Sequence, residues 1–154
     1  MGPMDVGSGE AKGAPDHPHR GFEAISYILS GEMVHTHSHG NLGVIGRGDV
    51  QWMMAGSGVI HSEMPSETIM REGGCTHGFQ IWVNLPASLK MTAPRYQDVA
   101  AADIPTFASS DGRTRVRVIA GATNDVRGAV ATRTRIHFLY ATLAPGAGRF
   151  GIIA

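Results

Sequence analysis

Nowhere in this chain do apolar residues keep a 3.6-residue period over several turns, whereas short apolar, β-branched and aromatic runs recur between glycines and prolines. A helix must bury an apolar stripe several turns long, but a strand needs only a few alternating residues, so the pattern points to short β-strands, with any helices short. The 21 glycines and 8 prolines lie between the runs, where tight turns need backbone that accepts positive φ or has φ preset. Candidate strands are 22–29 (FEAISYIL), Met33 to His35, Leu42 to Ile45, Val50 to Met54, Val59 to Glu63, His77 to Val83, 113–120 (RTRVRVIA) and 131–143. Strands recurring about every ten residues indicate a sandwich or barrel. Residues 64–76 and 87–112 read as irregular, the second broken by Pro94 and Pro105, and residues 1–14 as a mobile, Gly-rich opening segment.

At 154 residues the chain is long enough for one all-β domain with a real core and short for two. Lys plus Arg equals Asp plus Glu at 13 each, which leaves no overall electrostatic case for binding nucleic acid or an anionic membrane surface. The expectation is no direct nucleic-acid partner and no membrane partner, since there is neither an 18-residue apolar run nor an apolar stretch at the N-terminus. The single cysteine, Cys75, excludes an intrachain disulfide and fits a reducing compartment, so the expected location is cytoplasmic, or nuclear in a eukaryote.

Chemistry concentrates in two short motifs. His17 and His19 in PDHPHRGFE stand two apart, and so do His61 and Glu63 in IHSEM. On extended strands each pair leaves one face, and two such strands facing each other converge four donors on a point. Three imidazoles and a carboxylate suit a borderline divalent ion such as Fe(II), Mn(II) or Ni(II). Glu23 is a competing carboxylate, because the odd-numbered residues of its strand share the face of His17 and His19 if no bulge intervenes. His35, His37 and His39 also alternate, but HTHSHGN reads as a polar hairpin tip exposed to solvent. Arg113, Arg115, Arg117 and Arg127 read as a solvated edge strand, and the apolar close Phe150 to Ala154 as a severed end.

In PDHPHRGFE, GDVQWMMAGSGVIHSEMP and FQIWVNLP the sequence resembles the pirin family of the cupin superfamily, and VRVIAG and LAPGA are similar to the start of a pirin's second cupin domain. The resemblance implies an all-β cupin jelly-roll β-barrel at 15–112 after a flexible segment at 1–14. Residues 113–154 would be the truncated start of a second barrel that is otherwise missing. It also implies one metal, Fe(II) or another divalent ion such as Mn, Ni or Cu, held by His17, His19, His61 and Glu63, with the carboxylate of HSE preferred over Glu23. The implied activity is a quercetin 2,3-dioxygenase (quercetinase) type of dioxygenase acting on flavonols, in which Glu63 is both ligand and proton acceptor. The other implied role is a non-enzymatic, iron-binding redox sensor that regulates a transcription factor or metabolic enzyme by binding it.

Overall fold

The computed structural model describes residues 2–38, 40 and 42–148, so His39 and the Phe150 to Ala154 run lie outside the described residues. The chain divides into two compact units, Met1–Asp98 and Val99–Ala154. The first contains, in chain order, β1 (Met4–Val6), β2 (Ala14–His19), β3 (Phe22–Ser30), β4 (Met33–His37), β5 (Leu42–Ile45), β6 (Val50–Met54), β7 (Val59–Pro65), helix α1 (Glu67–Glu72), β8 (Gly74–Asn84) and all but the last residue of β9 (Arg95–Val99). These strands form two sheets, β2-β7-β4-β5, antiparallel throughout, and β1-β8-β3-β6-β9, antiparallel from β1 to β6. The fold is all-β, as the short apolar runs demand.

The sheets face each other. Ser26 of β3 and Gln80 of β8, in the five-stranded sheet, both hydrogen-bond Glu63 of β7 in the four-stranded one. Alternation along β3 therefore puts Ala24, Ser26 and Ile28 on the facing side and Glu23, Ile25 and Tyr27 on the other. The interior core joins Ala24, Met53 and Ala55 to Val59, with Phe22 and Tyr96 packed against them. Every residue of β6 is buried, which its unbroken VQWMM run foreshadows.

Two glycines set the crossings between sheets. Gly21, at φ 76, carries the chain from β2 to β3, and its N–H donates to the Gly56 carbonyl at 2.8 Å. Gly56 stands at φ 51, and a side chain there would collide with the Thr92 carbonyl oxygen. A residue with a Cβ meets both a torsional and a steric penalty at that point.

Several elements differ from the sequence reading. Residues 64–76 contain α1, capped by Ser66, whose hydroxyl accepts from the Ile69 N–H at 3.2 Å. Six residues are too few to show a helical period, so only the cap announces the helix. Residues 87–112 contain β9, which begins directly after Pro94, where a missing N–H interrupts nothing. Residues 1–14 include β1, paired to β8 from Met4↔Thr76 to Val6↔Gly74.

In the second unit, β10 (Thr106–Ala108), β11 (Thr114–Ala120) and β14 (Phe138–Leu143) form a sheet in the order β10-β11-β14. Between β11 and β14 lies a small ribbon of β12 (Ala122–Thr123) and β13 (Val126–Arg127). The arginine-bearing strand β11 is thus the centre of its sheet rather than an edge, although Arg115 is exposed while Val116 and Val118 are buried. Within 131–143 only Phe138–Leu143 is strand, because alternation alone supplies no partner for the residues before it. Among the described residues no helix is long and apolar enough to cross a membrane.

Candidate metal centre

The register of the four-stranded sheet assembles the histidines. His17 of β2 pairs with His61 of β7, and His61 pairs on its other side with His37 of β4. A register shift between Ala14 and His17 marks a bulge in β2, the kind of irregularity that re-aims a side chain. The Nε2 atoms of His17 and His19 lie 2.9 Å apart, and those of His61 and His17 lie 3.0 Å apart. Ligand atoms of all three residues fall within 4.8 Å of one another.

That geometry fits a metal ion. Metal–nitrogen bonds of about 2.1 Å at right angles place two nitrogens about 3 Å apart. The His17 Nδ1 lies 2.8 Å from the Pro15 carbonyl oxygen, which can only accept, so Nδ1 carries the proton and Nε2 presents its lone pair to the other two rings. Burial, with His17, His19, His37 and His35 nearby, pushes His61 down to about 3. Burial and then His17 lower His19 as well, with Glu63 pulling the other way. Imidazoles held neutral are the form that binds a metal.

Glu63 is buried on β7 beside this group but lies outside the cluster of three. Its carboxylate is held from β8 by the Gln80 amide, whose Nε2 donates to Oε1 at 2.9 Å and to Oε2 at 2.8 Å, and from β3 by Ser26 Oγ, which donates to Oε1 at 3.2 Å. A cavity of about 330 Å³ is lined by Ser26, Ile28, Met33, Glu63, Phe79 and Gln80 among others, and brings solvent-accessible space to the carboxylate. Trp82 packs edge-on against His19 at 5.4 Å and tilts against Phe22 at 4.7 Å, forming an aromatic wall beside the rings.

Glu23 is not part of the centre. It is buried on the opposite face of β3 from Ser26, paired with Met54 and Val83, and burial raises its carboxyl, with the Trp52 indole opposing. The parity argument that favoured it fails because the chain changes sheets at Gly21, so counting along β2 does not continue into β3.

The hairpin histidines also correct the sequence reading. His35 and His37 are 0% and 4% exposed, not at a solvent-exposed tip. The β4–β7 register sets His35 beside Glu63 and His37 beside His61, so the alternation in HTH points both rings inward. His37 stacks on Tyr96 with ring centres 3.8 Å apart, while burial pushes His35 down to about 4 against the pull of Asp98. Asp98 in turn accepts from Gln51 Nε2 at 3.1 Å. Sequence reasoning passed over Ser26, Gln51, Gln80 and Asp98; for Gln80 the available signal was that Gln80 and Trp82 alternate with the apolar face of Phe79, Ile81 and Val83.

Comparison with known proteins agrees with the fold. The family model described as Pirin matches residues 1–83. Pirin-1 of Arabidopsis thaliana is 46% identical over 134 residues, which are 87% of this chain and 44% of that protein. A pirin-like protein of Caulobacter vibrioides is 52% identical over 119 residues, 77% of this chain and 41% of that protein. The crystal structure of quercetin 2,3-dioxygenase from Acinetobacter baumannii superimposes with a TM-score of 0.81 at 42% identity, covering 88% of this chain and 47% of that one. The bacterial pirin YhhW of Escherichia coli in complex with nickel(II) matches with a TM-score of 0.54 at 27% identity, covering 75% of this chain and 52% of that one. The chain spans about half the length of the relatives it matches. Its fold is an all-β cupin fold, and with a family model covering both histidine motifs the chain belongs to the pirin family.

Proposed function

We propose that this chain carries the metal centre of a dioxygenase acting on flavonols, of the quercetin 2,3-dioxygenase type, with iron(II) as its metal. The observation that carries the reading is the meeting of three imidazole nitrogens beside a buried carboxylate that faces a cavity. Similarity to the quercetin 2,3-dioxygenase of Acinetobacter baumannii supports the choice of reaction, and the nickel complex of YhhW supports a divalent transition metal. Residues 113–154 are read, on the same proposal, as the beginning of a second cupin domain.

His17, His19 and His61 would hold the metal, with Glu63 of the neighbouring β7 position as its fourth ligand. Bound iron(II) would supply Lewis acidity toward the flavonol's oxygens and a path by which electrons pass from the flavonol, the net reductant, to dioxygen. Glu63 accepts the proton of the flavonol's enolic hydroxyl, a task suited to a carboxylate at the edge of a cavity. Ile28, Met33 and Phe79 give that cavity an apolar lining against which a flat aromatic substrate packs. Trp82 and Phe22 cover the side of His19.

Oxygen consumption with quercetin, measured on iron-loaded and metal-stripped protein with bound iron quantified, tests this reading. Uptake that requires both iron and flavonol is expected. Bound iron with no uptake would reject the dioxygenase and direct attention to a regulatory role exerted by protein binding.

A further inference from the structure

We propose that Gln80 is the positioning residue for the Glu63 carboxylate, holding both of its oxygens beside the metal centre while Ser26 occupies Oε1 and leaves Oε2 the freer of the two. The inference rests on the reading of Glu63 as a ligand and proton acceptor. The orientation of the Gln80 amide is settled by its neighbours. The Trp82 indole N–H lies 3.3 Å from Gln80 Oε1 and can only donate, so that atom is the carbonyl and Nε2 faces Glu63.

The donors are unequally shared. Oε1 of Glu63 receives both Ser26 Oγ and Gln80 Nε2, whereas Oε2 receives only Gln80 Nε2, at 2.8 Å. Oε2 keeps the larger acceptor capacity and is the oxygen we assign to the metal or to the substrate's proton. The charged acceptor makes these hydrogen bonds stronger than neutral ones.

Gln80 and Trp82 are one strand period apart on β8, so they present to the same side. Trp82 touches His19 and donates to Gln80, and Gln80 holds Glu63, which makes one chain of contacts from an imidazole of the cluster to the carboxylate beside it. The carboxylate is buried while Gln80 itself is exposed, so Gln80 lies between the carboxylate and solvent. Changing it leaves the buried core intact.

The test is titration of the full chain with Co(II), reading affinity and the visible ligand-field band, alongside melting of the metal-free protein. Gln80→Leu is expected to weaken Co(II) binding by about 10- to 100-fold and to change the band, as loss of an outer hydrogen-bond partner does at other metal sites. Melting of the metal-free protein should remain one cooperative transition, its midpoint lowered by no more than a buried carboxylate with fewer donors costs. Gln80→Glu, which keeps the site polar but replaces the donor with a second carboxylate, should weaken binding through the same oxygen pair. Glu63→Gln should also weaken binding, and the double variant Glu63→Gln with Gln80→Leu should be no weaker than Glu63→Gln alone, since both act through one group.

Unchanged affinity and an unchanged band in both Gln80 variants, with Glu63→Gln weakened, would overturn the role of Gln80 while leaving Glu63 a ligand. Losses that add fully in the double variant would do the same. Unchanged binding in Glu63→Gln would overturn the assignment of Glu63 itself, and the Gln80 proposal with it.

Discussion

His61 has imidazole neighbours on two strands, with His17 and His19 on β2 and His37 on β4. Its ring therefore sits where the centre is most crowded with nitrogen donors. His61→Ala is expected to reduce bound metal to background by elemental analysis, whereas Glu23→Gln, altered on the far face of β3, should leave stoichiometry and affinity unchanged. Retention of metal by His61→Ala would place the ion elsewhere, with His35 and His37 the first residues to examine. At this scale the i, i+2 spacing was enough to put each pair of side chains on one face. It was not enough for Glu23, because side-chain parity is kept only within one strand, and Gly21 ends β2's count. Nor could spacing alone separate His35 and His37 from a polar turn: both readings contain the same alternation, and only the pairing of β4 with β7 gives it an inward direction.

Among the elements, the turn that delivers β7 to the centre depends on Gly56. Positive φ and the nearby Thr92 carbonyl leave no room for a methyl group. Gly56→Ala is expected to destabilise the fold by at least about 1 kcal/mol, the cost of forcing a Cβ residue into an incompatible conformation. Denaturant melts measure this, and an unchanged midpoint would show that the turn relaxes without strain. Strands with strong apolar or β-branched content, such as FEAISYIL and VQWMM, were legible from composition. Short elements were not: α1 has six residues and β9 five, too few for a period to emerge, and each is placed by its cap or by the strand beside it.

Over the whole molecule, buried histidines tie stability to pH. His35 is pushed down to about 4 and His61 to about 3, chiefly by burial, while in the unfolded chain both titrate near the ordinary value of 6.5. Between these limits the unfolded chain binds more protons, so stability is expected to fall as pH drops below about 6.5, each residue contributing up to about 1.4 kcal/mol per pH unit. Urea melts of metal-free protein between about pH 7 and pH 4 provide the check, and a flat midpoint would mean that these rings take up protons in the folded state. A divalent metal that binds only the folded chain should add about 2.7 kcal/mol at a free concentration 100 times its dissociation constant.

The sequence by itself determined the class of structure and the chemistry available to it: short alternating runs between glycines favour strands over long helices, and closely spaced histidines and carboxylates restrict the site to a few donors. Tertiary structure decided which donors meet. Register across β2, β7 and β4 brings together residues far apart in the chain, and the facing sheet contributes Ser26 and Gln80, whose bonds to Glu63 exist only once β3 and β8 lie opposite β7. Strand alternation is a local property, but the choice of facing partner depends on how two sheets pack. That choice makes Glu63 a carboxylate held beside a histidine cluster and leaves Glu23 a buried acid on the other side of β3.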